Sequence, residues 1–144
     1  MRTRLAAIAI AASLLAPAAH AADTATLTVK VGNVTDRGGN LRIGVYDKAK
    51  FLVRGSKPVM GEIVPAKAGE MTIVFSGLAP GEYGVKCFQD ENANGKLDMG
   101  LMGMVPQEPY GLSNDAKPTM GGPPWDDAKF TLRPGAATIR ISLH

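Results

Sequence analysis

Cysteine is nearly absent from this 144-residue chain: Cys87 is the only one, so no disulfide can form within the molecule. With Tyr83, Val85 and Phe88 around it, Cys87 reads as a small buried apolar side chain before it reads as a reactive thiol. Histidine is almost as scarce, with only His20, in an amino-terminal leader, and His144, at the end of the chain. That shortage leaves a Ser–His–Asp or Cys–His arrangement without a well-placed base and a histidine-built zinc centre without ligands. Glycine motifs that cradle phosphates are missing as well. So are runs of like charge and, beyond the leader, any apolar stretch long enough for a bilayer.

The one apolar run, Leu5 to Leu15, falls short of the roughly 20 residues that span a membrane. Arg2 and Arg4 precede it, Pro17 ends it, and Ala19-His20-Ala21 supplies the small-x-small pattern of a signal peptidase site. The expectation is a cleaved signal peptide over residues 1–21, cut after Ala21 or Ala22, with a domain over 22–144. Cysteine does not follow the run, so no lipid is attached there. The mature chain is then soluble, in a periplasm or secreted. Export costs the chain two of its 16 basic residues, Arg2 and Arg4, and none of its 13 acidic ones, so the net charge drops from +3 to +1. A surface so close to neutral argues against a nucleic-acid partner.

What is present is a rhythm of short alternating segments broken by Gly, Pro and Asn. Leu27, Val29 and Val31 alternate with polar residues, as do Leu41, Ile43 and Val45 beyond the turn residues Arg37-Gly38-Gly39-Asn40. These two segments read as a hairpin. Val59–Val64 reads as a third strand, Met71–Phe75 as a fourth and Tyr83–Phe88 as a fifth. Between the last two, Pro80 and Gly81 suit the central positions of a type II turn. Ala128–Leu132 and Ile139–Leu143 complete about seven strands, with no convincing helical period. The fold class is therefore all-β: a single antiparallel β-sandwich with one long loop, from Asp90 to Pro124.

That loop opens with Asp90-Glu91-Asn92-Ala93-Asn94-Gly95-Lys96-Leu97-Asp98. Oxygen-bearing side chains stand at positions 1, 3, 5 and 9, with glycine at 6, as in the first nine positions of a calcium loop. Position 12 is Leu101, where an EF-hand needs glutamate, and no helices flank the loop, so an EF-hand is excluded. A calcium loop between β elements remains, with ligands Asp90, Asn92, Asn94, the Lys96 carbonyl and Asp98, and Glu108 as an additional donor. The competing reading is an Asx-rich turn that satisfies its own backbone.

The run Leu78-Ala79-Pro80-Gly81-Glu82-Tyr83, then Phe88-Gln89 leading into the acidic loop, resembles a bacterial family of exported proteins of unknown function. Pro106-Gln107-Glu108, Tyr110-Gly111-Leu112-Ser113-Asn114 and Gly122-Pro123-Pro124-Trp125-Asp126-Asp127-Ala128 extend the resemblance over most of the mature chain. Met104-Val105 and Pro109 depart from the family's shorter, glycine-containing pattern. The resemblance implies an immunoglobulin-like or transthyretin-like sandwich and brings no established activity.

Three further readings stay open. Met99, Met102 and Met104, with Met120 further on, could bind Cu(I) through their thioethers, or simply fill gaps beneath the loop. Tyr110 and Trp125 could present rings to an envelope protein or a glycan, or cover an end of the core. Asp126 and Asp127 could serve a carboxylate-based hydrolase, or sit at the start of a short turn. On balance the sequence predicts a binding or structural module of the cell envelope and no enzyme.

Overall fold

Alternation carried over nearly whole strands fixes one face of each strand inward, and in the computed structural model those faces meet as a two-sheet sandwich. The structure describes residues 23–119, 122 and 124–144; the signal peptide expected over 1–21 and Met120 lie outside the described residues. The strands are β1 (Ala25–Val34), β2 (Asn40–Tyr46), β3 (Met60–Pro65), β4 (Gly69–Leu78), β5 (Gly81–Asp90), β6 (Tyr110–Leu112), β7 (Phe130–Leu132) and β8 (Gly135–Ser142). Among the described residues, short α-helical turns α1 (Lys48–Phe51) and α2 (Trp125–Ala128) and 3-10 turns at Leu101–Gly103 and Ser113–Asp115 lie between strands.

One sheet has the order β4-β1-β8 and the other β3-β2-β5-β6, with β7 also paired to β5. Leu27, Val29 and Val31 of the first sheet and Leu41, Val45 and Val85 of the second are fully buried between them. The pairing is antiparallel except for β1 with β8, which run parallel from Ala25–Gly135 to Gly32–Ser142. At one edge the sheets are stitched together, since Tyr110 and His144 exchange two backbone hydrogen bonds, of 3.0 and 3.3 Å.

The first two strands do not form the predicted hairpin. β1 pairs with β4 and β8, and β2 with β3 and β5, so the connection arches from one sheet to the other. Alternation is the same for neighbours in a sheet and for strands facing across a core, so the pattern could not separate the two. The arch requires glycine at 39. Gly39 has φ +77°, and a Cβ there would lie 2.0 Å from the Asp90 carbonyl oxygen.

The turn before β5 also differs from expectation. Gly81 is not among the positive-φ residues, whereas Gly77 is, at +83°. The chain crosses between sheets here too, and the Tyr83 hydroxyl donates to the Ala79 carbonyl at 2.8 Å. A tyrosine pinning the crossing that precedes its own strand is a known device of Greek-key sandwiches.

The eighth strand is β6, inside the segment read from sequence as loop. Three residues are too few to display a period of two. Its Gly111 passes so close to β8 that a Cβ would lie 2.6 Å from Ile141.

A second, smaller core lies outside the larger sheet at the Tyr46–Gly84 end. Phe51, Leu112, Trp125 and Ala128 form it, with Tyr46 and Ala116 packed alongside. Phe51 and Trp125 meet edge to face, 5.4 Å between centroids. Gly84 makes room for them, since a Cβ there would lie 2.7 Å from the Phe51 ring. The Lys86 amine sits 4.6 Å from the Phe51 centroid and 4.8 Å from that of Tyr46, and burial lowers its pKa.

Candidate functional site

The opposite end of the larger sheet, where Asn40 pairs with Asp90, carries the acidic loop. Its base is polar and almost entirely internal. Gln89 is fully buried; its amide oxygen accepts from the Thr35 backbone and hydroxyl, and its nitrogen donates to the carbonyls of Thr35 and Gly38. All of that amide's capacity goes into holding the β1–β2 arch.

Asp90, at position 1 of the predicted calcium loop, is also fully buried. One carboxylate oxygen accepts from the Asn94 N–H at 3.0 Å; the other accepts from the Gly95 N–H at 2.9 Å and from Arg42 Nε at 2.7 Å. Burial pushes the Asp90 pKa up, but the Arg42 guanidinium and the two N–H groups outweigh it, so the net shift is downward. Asp90 therefore ties the loop to β2 through a cation of the chain itself. Nothing near either residue signals that pairing, which spans 48 positions.

Three of the predicted ligands do converge. Asn92 and Asn94 donate their side-chain amides to the two oxygens of Asp98, at 2.6 and 2.8 Å. Their own amide oxygens accept from the backbone of Asn94 and Lys96, as in Asx turns. Glu108, only 6% exposed, spans the loop, accepting from the backbone of Glu91 at 2.9 Å and of Asp98 at 3.0 Å. Glu91 in turn pairs with Arg37 at 3.3 Å. Glu91, Asn92, Asp98, Gln107 and Glu108 line an open groove of about 290 Å³. Among the described residues, no three His, Cys, Asp or Glu side chains gather closely enough to hold a metal ion.

From this brace a narrow finger projects. The Gln107 N–H donates to the Asp98 carbonyl at 2.8 Å, Met99 and Pro106 form an isolated bridge, and the Gly100 N–H donates to the Val105 carbonyl at 2.6 Å. Met102 turns the tip in the left-handed region, at φ +56°. Nine residues, Met99 to Gln107, carry no charge. Leu101 and Met102 are 82% and 86% exposed, and Met104 and Val105 61% and 59%.

The remaining candidates are dispersed. Tyr110 is half-buried on the outer face of the larger sheet, in register with Phe88 and, through it, with Arg42. Trp125 is 5% exposed and belongs to the smaller core at the other end, so the two rings share no surface. Met102 and Met104 stand on the finger, whereas Cys87 faces the main core with its thiol pushed up to about 12 by burial, out of reach of either. Asp126 and Asp127 occupy the first turn of α2, with Asp126 open to solvent and 3.4 Å from Lys129.

Several structural roles escaped the sequence reading. Ser113 accepts from the Val85 N–H and donates to the Ala128 carbonyl, and Asn114 donates to the carbonyls of Asp127 and Lys129. Ser113 thus links α2 to β5, and Asn114 holds the end of α2 where the chain leads into β7. The finger was legible in principle as an uncharged, methionine-rich run between carboxylates.

No curated protein and no solved structure matches the chain. The sequence model of a bacterial family matches residues 29–140, nearly the whole of both sheets. Much of what resembled a family in sequence is the hardware just described: Tyr83 at the crossing, Gln89 and Asp90 at the loop base, and Ser113 and Asn114 against α2. The chain belongs to the family described as uncharacterized protein conserved in bacteria (DUF2141).

Proposed function

We propose that the protein is a non-catalytic recognition module of the bacterial cell envelope, reached by export, and that it binds another protein through the Met99–Pro106 finger. One observation carries this reading. Four large apolar side chains stand more than half exposed on a hairpin whose base is fixed by Asp98, Gln107 and Glu108. Scattered exposed apolar residues are ordinary, but a contiguous group on a braced projection is the usual mark of an interaction site. The acidic loop then serves as support, with its side chains spent on the loop's own backbone, on one another and on Arg37 and Arg42. The test is photo-crosslinking in the intact envelope, with the reactive residue at position 102 or, as a control on the other sheet, at Thr72. Defined adducts from position 102 alone support the reading. None there, or the same set from both positions, rejects it.

The convergence of Asn92, Asn94 and Asp98 favours a second reading, in which calcium orders the loop. Asp90 is committed to Arg42, so the ion would rest on those three with Glu108 close by. Thermal unfolding in EDTA and in calcium tests it. A calcium-specific rise of several degrees that Asp98→Ala abolishes supports it, and equal midpoints discard it.

A further inference from the structure

The finger has a complement elsewhere on the same molecule. Residues 47–59, leading from β2 through α1 to β3, hold Leu52, Val53 and Val59 at 46%, 56% and 42% exposure. Lys48, Lys50, Arg54 and Lys57 surround them, all exposed and, among the described residues, free of ion pairs. The one acidic group within residues 47–59, Asp47, accepts from the Lys50 backbone as the cap of α1, and on the adjoining α2, where Asp126 and Asp127 are exposed, Asp126 pairs with Lys129. This knuckle is thus apolar and positive. At the finger, Arg42 and Arg37 cancel Asp90 and Glu91, which leaves Asp98 and Glu108 against Lys96. The finger is apolar and negative at its base.

The two surfaces cannot meet within one chain. The finger rises beyond Asp90 and the knuckle follows Tyr46, and the β2–β5 register puts these at opposite ends, Asn40 with Asp90 and Tyr46 with Gly84. Six residues of strand separate the ends by roughly 20 Å. We propose that the finger of one copy docks on the knuckle of a second copy, so that the protein associates head to tail; this rests on the finger being a recognition element. Such a contact uses two different patches, leaves one of each free, and extends into chains or closes into rings. Four finger side chains bury less than a stable interface requires, so the association is weak and concentration-dependent. Attraction between opposite charges also makes it sensitive to salt.

Sedimentation velocity on the chain from Asp23 onward, which holds both sheets complete, tests the proposal. Between micromolar and millimolar concentration the sedimentation coefficient rises in low salt, and the rise shrinks in high salt. Met102→Asp, which disables the finger, and Val53→Asp, which disables the knuckle, each leave monomers; both sites are exposed, and an unchanged unfolding midpoint confirms the fold. An equimolar mixture of the two variants forms a one-to-one complex and nothing larger, because one intact finger meets one intact knuckle. Lys50→Glu with Arg54→Glu weakens the wild-type association at least tenfold while leaving the apolar knuckle whole. A wild-type chain that stays monomeric overturns the proposal, as does a mixture that forms no complex, or monomers that bind anionic vesicles through the finger. If position 102 crosslinks to a different protein while the wild type stays monomeric, the recognition reading survives and self-association alone fails. If position 102 crosslinks to nothing, both fail.

Discussion

The two ends of the larger sheet are held together by opposite chemistries. At the Gly84 end, Phe51 and Trp125 pack edge to face over a glycine, and the segment over residues 47–59 presents exposed basic side chains. At the Asp90 end, Gln89, Asp90 and Glu108 bind backbone groups and Arg42, and they support an exposed finger that is itself uncharged and apolar. Buried rings hold their surroundings by area and shape, so they tolerate any polar group above them. Buried carboxylates and amides hold by direction, and each bond fixes a particular N–H of the loop. The second method suits a projection whose position matters more than its bulk, and the finger stands on that end.

The largest expected effect tests the aromatic end. Trp125→Ala removes most of the smaller core and should cost about 3–5 kcal/mol in a urea unfolding experiment. The Asp90 end should give less, with a different signature. Asp90→Asn keeps the shape but weakens the bonds to Gly95 and Arg42, for a loss of about 2–3 kcal/mol at neutral pH. The folded pKa of Asp90 lies below its ordinary value, so its contribution is complete above that value, about 3.9, and is lost as the pH falls through the lower folded one. The wild type should therefore lose stability across that acid window more steeply than Asp90→Asn. Parallel pH profiles would show that Arg42 does not govern this carboxylate and would erase the contrast between the two ends.

Unequal legibility in the sequence follows from the same contrast. Leu27-Val29-Val31 and Leu41-Ile43-Val45 announced strands because burial of one face imposes a period of two, and the sandwich followed from their number. Whether those strands were neighbours or faced one another was not written in the period; it depends on Gly39 passing beneath Asp90, a contact between distant residues. The acidic loop was legible as a composition, but its use was not. Calcium and an Asx turn ask for the same residues at the same spacing, and Arg42 is invisible until the chain folds. Trp125 left two readings open, a ring offered to a partner or a cover over one end of the core, and only Gly84 and Phe51, distant in sequence, decide for the second.

The smallest expected effect is at the tip of the finger. Met102 is 86% exposed and sits at φ +56°, where most residues are strained and glycine is not. Met102→Asp should leave the unfolding free energy within about 0.5 kcal/mol of wild type, because little is buried there to lose. Met102→Gly should be neutral or slightly stabilising, since it relieves the left-handed strain, although it also frees the unfolded chain. Selection for stability alone would then find no reason to keep methionine at this turn. A loss of more than about 1 kcal/mol in either variant would mean that the side chain packs against its own domain. The Asp90 end would then hold itself by apolar contact as the Gly84 end does, and the finger would be a covering of the loop, with nothing left over for a partner.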